Sequence, residues 1–258
     1  MSDTLHITII EHTAIITLDN PPANTWTLEN LKALKDTVIE LNNNSQVTAL
    51  VIHSASHKFF SAGADLNRFD KVSEQEARAM ADAFGEAFEA LSDFSGLSVA
   101  AINGYAMGGG LEVALACDLR VAEKQAVLAL PEASVGLLPC AGGTQNLTWL
   151  VGEGWAKRMI LCGEQLRGEQ ALAIGLVDVL TETGESLDSA KQLAAKTTEQ
   201  SPDALRACKR LIQMGRHMPI RSALGLEREM FVKLFSGENQ QEGVSAFLEK
   251  RKPEWMYN

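Results

Sequence analysis

Apolar and polar positions alternate at the start of the chain. LHITII and AIITLD each read as a short strand, with Glu11-His12-Thr13 as the tight turn between them. Asn20-Pro21-Pro22 ends the second strand, and a helix is predicted from Thr27 to about Leu41. Val47 to His53 (VTALVIH) is a continuous apolar run, the signature of a buried strand. The stretch KFFSAGADLN then reads as a loop, followed by a long amphipathic helix from about Ser73 to Leu91. SVAAIN, residues 98–103, is another buried strand that leads into a glycine stretch and a further helix. DLRVA and AVLAL add two short strands. From about Leu187 onward only helical patterns follow, broken at Ser201-Pro202, around Met218-Pro219 and at Gly237.

Strands alternating with helices over short links predict an α/β fold with partly parallel sheets. Neither GxGxxG nor GxxxxGK[ST] occurs, so neither common nucleotide-phosphate loop is expected. A helical end without strands suits packing against neighbouring subunits, so an oligomer is expected.

Composition narrows the partners. A hydrophobic fraction of 46% over 258 residues is ordinary for a chain that buries a sizeable core. The net charge of −10 opposes a polyanionic partner, because nucleic-acid affinity comes largely from neutralising phosphates. Lys250-Arg251-Lys252 is the one short basic cluster and is read as a solvated helix end. The four cysteines lie far apart without a CxxC pair, which predicts reduced thiols in a cytosolic compartment and no zinc site. The five histidines have no ligand spacing, so no metal is expected. MSDTLHITII lacks a basic n-region and a long apolar core, so no signal peptide is expected. No uncharged apolar run is long enough to span a membrane.

Chemistry concentrates in three stretches. In GYAMGGGLEVALACD, residues 104–118, Glu112 is the one charge in an apolar run until Asp118, so it must find a partner or do chemistry. Gly108 to Gly110 precede it at a helix start, where unpaired amides and the helix dipole suit an oxyanion; tight packing would use the same glycines. FFSAGADL, residues 59–66, again exposes main-chain amides past a buried strand. Ser61 there is read as a small loop residue, since GxSxG is absent. In LPEASVGLLPCAGGTQ, residues 130–145, Glu132 follows a short strand directly, and glycines and prolines hold the loop beyond it. Glu112 and Glu132 are twenty residues apart in sequence and can meet only through the fold.

FSAGADL, AAINGYAMGGGLEVALACD and PEASVGLLPCAGGTQ together closely resemble the signature stretches of the enoyl-CoA hydratase/isomerase (crotonase) superfamily. ITLDNPPANTWT resembles its first coenzyme A loop, WAKRMILCGEQLRGEQALAIGLVDVL its next helical segment, and EGVSAFLEKRKPEW its C-terminus. The resemblance covers nearly the whole chain in the family's order. It implies a crotonase-like spiral of ββα repeats over residues 1–190, carrying the acyl-CoA site, and a helical oligomerisation region over 191–258.

The same resemblance implies site roles. The amides of Ala64 and Gly109 would form an oxyanion hole for the thioester carbonyl, each donor contributing roughly 3–4 kcal/mol by analogy. Glu112 would orient and deprotonate a water for attack at Cβ, and Glu132 would exchange a proton with Cα. Two carboxyls in a partly dry site should share a proton. Ala23, Ala62, Asp65, Leu66 and Gly108 match positions along the acyl-CoA crevice, and Tyr105 and Leu137 would wall the acyl pocket; packing would explain the same alanines and apolar side chains. No cofactor is implied beyond the coenzyme A of the substrate. A homotrimer or dimer of trimers in the cytoplasm follows from the family.

Three departures stand out. Cys140 replaces the family's usual glycine close to the water site, Asn146 replaces a frequent arginine, and Trp26 is bulkier than the usual leucine. Three activities remain open: enoyl-CoA hydration, Δ3,Δ2-enoyl-CoA isomerisation needing only Glu132, and catalytically silent acyl-CoA binding. Glu112 could instead cap its own helix, and Glu132 could bond to the adjacent loop.

Overall fold

A computed structural model describes residues 4–257 of the chain. Met1 to Asp3, the beginning of the segment read as lacking a leader, and Asn258 lie outside the described residues. The first half runs β1 (Leu5–Ile10), β2 (Thr13–Leu18), β3 (Thr25–Trp26), α1 (Leu28–Asn42), β4 (Ala49–Ser54), β5 (Phe59–Ser61), β6 (Gly63–Ala64) and α2 (Glu74–Ser92). Next come β7 (Leu97–Ile102), β8 (Tyr105–Met107), α3 (Gly109–Ala116), β9 (Leu119–Glu123) and β10 (Val127–Ala129). The chain ends through α4 (Gly143–Leu161), β11 (Leu166–Arg167), α5 (Gly168–Ala173), β12 (Val179–Thr181), α6 (Ser186–Ala195), α7 (Pro202–Met214), α8 (Ile220–Leu234) and α9 (Glu238–Glu249).

The strands sort into a large sheet ordered β1-β2-β4-β7-β9-β12 and a smaller one ordered β11-β10-β8-β5, with β3 and β6 as a separate pair. Among the described residues only β1–β2 and β10–β11 are antiparallel. Each of β4, β7 and β9 enters the large sheet, and the next principal strand, β5, β8 or β10, enters the small one. A helix closes each of these units, and successive units wind the chain into a spiral.

The central strands of the large sheet are buried on both faces. Leu50, Ile52, Ala100 and Ile102 point into the main core, whereas the alternate residues Ala49, Val51, Val99 and Ala101 lie under Ala190 and Ala194 of α6. Such double burial explains why these strands read as continuous apolar runs. The residue 190 boundary drawn from the resemblance falls within α6, which covers this second face. Helices α1 and α2 begin at their capping residues. Thr27 accepts from Asn30 N and Ser73 from Glu76 N, each in a reciprocal capping box. Their apolar stripes, Leu31, Leu34, Val38 and Leu41 on α1 and Met80, Phe84, Phe88 and Leu91 on α2, face the main core.

The stretch KFFSAGADLN departs from the loop expectation. Phe59 to Ser61 pairs with β8, and Gly63-Ala64 pairs with β3. Strands of two or three residues carry too few side chains for a period to show, so tertiary pairing alone defines them. Ser61 is a fully buried strand residue whose hydroxyl donates to Asn24 O at 2.7 Å. The C-terminal breaks fall where sequence placed them, with Ser201, Pro219 and Gly237 as the N-caps of α7, α8 and α9. No helix among the described residues is long and apolar enough to cross a membrane.

Candidate active site

Glu112 and Glu132 line one cavity. Gly108 makes this possible. Its backbone, at φ 54° and ψ −125°, lies where L-residues rarely go, and it turns the chain from β8 into α3 within one residue. Its N–H donates to Ala129 O at 2.9 Å, which holds the end of β10 against the start of α3. Glu132 follows Ala129 by three residues, in a 3-10 turn of residues Glu132–Val135. A methyl group on Gly108 would come within 3.0 Å of Glu132 Oε1, so the glycine also makes room for that carboxyl.

Glu112 lies in the first turn of α3 and is only 2% exposed. Its Oε1 accepts from Ala141 N at 2.8 Å, in the loop before α4, and from Gly143 N at 2.9 Å, the first residue of α4. The carboxylate therefore binds the distant start of α4 and the loop before it, rather than capping its own helix. Burial raises its pKa, and the two amide donors counter part of that rise.

Glu132 is the opposite case. Both carboxyl oxygens are buried, and neither has a hydrogen-bond partner among the described residues. Burial is the main cause that pushes its pKa up to about 7, and the charge of Glu112 adds to it. Its own backbone N–H opposes the rise without making a hydrogen bond of normal geometry. Of the two acids, the unanchored Glu132 is the better proton holder at neutral pH. Hydrogen bonding to the adjacent loop does not account for it.

The second glycine loop closes on the first. A methyl group on Gly63 would sit 2.5 Å from Met107 O and 3.1 Å from Gly109 N, so β6 passes directly over the start of α3. Ala64 and Gly109 are thereby neighbours, and Gly109 N is the first amide of α3, where no intrahelical acceptor exists. Asn24 fixes the approach from below. Buried, and at φ 50°, it donates to Leu18 O, Ser54 Oγ and Phe60 O, tying the ends of β2 and β4 to the middle of β5. The adjacent Ala23 O accepts from Ala62 N at 2.9 Å.

The cavity measures about 770 Å³. Ala62, Ala64, Leu66, Gly108, Gly109, Glu112, Glu132 and Leu137 all line it, so eight residues singled out from sequence come together. Ala23, Asp65 and Tyr105 are not among its lining. Ala23 contributes its carbonyl to the loop contact, Asp65 caps a 3-10 turn through Asn67 N, and half-exposed Tyr105 packs on Phe59 at 5.6 Å between ring centres. Sequence reading missed an apolar wall of Phe69, Val72, Met80, Phe84, Val135 and Leu138. Met80 and Phe84 belong to the buried stripe of α2, which from sequence is indistinguishable from core.

The sequence profile of the Enoyl-CoA hydratase/isomerase family matches residues 9–258. This chain belongs to the enoyl-CoA hydratase/isomerase family. The short-chain-enoyl-CoA hydratase of Clostridium acetobutylicum is 36% identical over 246 residues, covering 95% of this chain and 94% of that one. The 2,3-dehydroadipyl-CoA hydratase of Escherichia coli is 36% identical over 242 residues, covering 93% and 94%. Among solved structures, Pseudomonas aeruginosa DspI is 56% identical with a TM-score of 0.97, covering 99% of this chain and 97% of that chain. An enoyl-CoA hydratase from Geobacillus kaustophilus is 32% identical with a TM-score of 0.96, covering 100% and 98%. The spiral with its C-terminal helices is the crotonase fold.

Proposed function

We propose that this enzyme adds water across the 2,3 double bond of an enoyl-CoA thioester. The observation that carries the reading is the unequal carboxyl pair in one apolar-walled cavity: Glu112 amide-anchored, Glu132 unpartnered and raised to about 7. In the proposed step the thioester carbonyl accepts from the amides of Ala64 and Gly109. Glu112 takes a proton from water as its oxygen bonds to Cβ. The electron pair of the double bond moves toward Cα and the carbonyl oxygen, and Glu132 gives its proton to Cα. The protons then redistribute through solvent, and water has been added without a cofactor. Charge developing on the carbonyl oxygen is what the preorganised amides would stabilise, by roughly 3–4 kcal/mol per donor.

Hydratase names among relatives at 36% identity over more than nine-tenths of both chains support this reaction class. Isomerisation of 3-enoyl thioesters is the second reading, favoured by the free carboxyl of Glu132, which alone could carry a proton between carbons. A turnover screen separates them. Hydration predicts loss of the conjugated thioester absorbance of crotonyl-CoA or a longer 2-enoyl-CoA. Rapid isomerisation of 3-enoyl-CoA with every 2-enoyl-CoA inert would overturn the hydratase reading. A thioester panel bound without turnover would point to a silent binder.

We also propose that the chain works as a cytoplasmic trimer or dimer of trimers, with residues 191–258 at the contacts. Supporting this, α8 buries none of its residues within the chain. Ile220, Phe231 and Val232 on α8 and Phe247 and Leu248 on α9 stay exposed, Phe247 by 82%.

A further inference from the structure

Cys140 stands in the loop that anchors Glu112, and the proposed reaction gives it no task. It lines the cavity together with Glu112 and Glu132. Its neighbour Ala141 supplies the amide held 2.8 Å from Glu112 Oε1, so the thiol and that carboxylate are linked through one residue of backbone. Buried Pro139 precedes it and Gly142, at φ 93°, follows, fixing the path of the loop on both sides. Cys140 is an exposed residue at the cavity, and partial desolvation of its thiol together with the charges of Glu112 and Glu132 pushes the thiol pKa up to about 11. At neutral pH it is therefore held as S–H, which disfavours it as a nucleophile toward an electrophilic Cβ. A thiol is also a weak hydrogen-bond donor, a poor replacement for water beside a carboxylate. What it does supply is volume, where a glycine would leave room for solvent.

We propose that the Cys140 side chain is a positioning residue of the carboxylate pair, filling space beside Glu112 and Glu132 and so favouring proton transfer at Cα over addition of water at Cβ. The two reactions differ in what they need at this point. Addition requires a water seated against Glu112 while Glu132 faces Cα. Transfer at Cα requires only Glu132 and a held carbonyl. Bulk beside the acids therefore penalises the first and spares the second. This inference rests on the acyl-CoA reading above.

Two rates measured on one preparation test it. The first is hydration of crotonyl-CoA, followed by loss of conjugated absorbance. The second is exchange of the Cα hydrogens of butyryl-CoA in heavy water, followed by mass spectrometry. Butyryl-CoA has no double bond to hydrate. There the Glu132 carboxylate takes a Cα proton, the C–H electron pair moves into the Cα–carbonyl bond, the carbonyl pair moves onto oxygen, and the reverse step returns deuterium. The ratio of the two rates does not depend on how much of a variant has folded. Cys140→Gly is expected to raise the hydration-to-exchange ratio by about tenfold, within what a fraction of an ångström in reactant placement changes. Cys140→Ser, nearly equal in volume, is expected to leave the ratio close to the wild-type value. An unchanged ratio in Cys140→Gly, or an equal rise in Cys140→Ser, would overturn the inference. Wild-type enzyme inert in both assays would instead overturn the acyl-CoA reading, and the inference with it.

Discussion

Glu112 and Glu132 are the same side chain in two environments, and the difference lies in their donors. Two backbone amides stabilise the charge on Glu112, whereas Glu132 has burial and a neighbouring negative charge with no donor to offset them. If Glu132 must be protonated to serve Cα, hydration kcat/KM should fall as pH rises through about 7. It should also fall on the acid side as Glu112 takes a proton. Asp70 and Cys140 are the other titratable groups lining the cavity. A pH–rate profile flat between 6 and 9, a range of about 3 units around the Glu132 value, would contradict this. Stability carries the same sign. A carboxyl raised from 4.5 to about 7 favours the folded state fully below the lower value and loses that contribution as pH climbs to the upper one. Converted at 1.36 kcal/mol per pH unit, the change is at most about 3 kcal/mol, and solvent screening of the partly exposed residue lowers it. Glu132→Gln should therefore melt at a higher temperature than wild type at pH 8, with the gap narrowing toward pH 5, both checked by thermal unfolding. Sequence marked both acids, since a lone charge in an apolar run and an acid after a strand are visible in one dimension. The anchoring of Glu112 was not, because its donors lie 29 and 31 residues further along the chain, and the orphaned state of Glu132 was not, because it depends on what the fold leaves unpaired around it.

Among the elements, legibility follows length and capping. Helices α1 and α2 were readable because each opens on a capping box and carries a full apolar stripe. β5, β6 and β8 were not, because two or three residues hold too little pattern and their pairing partners lie far away in sequence. Yet these short strands deliver Ala64 and Gly109 to the cavity. The turn at Gly108 is the sensitive joint. Gly108→Ala should destabilise the fold by about 1–3 kcal/mol through its backbone alone. It should also lower turnover by more than the loss of folded protein explains, since the added methyl group would press on Glu132. Thermal unfolding and kinetics on the folded fraction separate the two effects. Thr27→Ala offers the contrast: loss of the α1 cap should cost about 1 kcal/mol, read as a lower melting temperature.

At the scale of the molecule, the spiral joins residues that local pattern keeps apart. Alternating strands and helices announced an α/β class, but nothing in that alternation says that successive units share two sheets. The resemblance of the ordered motifs supplied that step, and the matching structures bear out the fold. The exposed apolar residues of α8 and α9 belong to this scale as well. Light scattering should give a multiple of the monomer mass, and Phe231→Asp with Phe247→Asp should shift it toward monomer; a monomeric wild type would contradict the assembly proposed. The central claim is that the fold turns two acids distant in sequence into one catalytic pair. Its most direct test is steady-state hydration of a 2-enoyl-CoA by wild type, Glu112→Gln and Glu132→Gln, with thioester affinity measured alongside. Each variant should bind the thioester nearly as wild type does but lose at least about 10²-fold in kcat, as expected for removal of a general acid or base. Either variant turning over at the wild-type rate would contradict it.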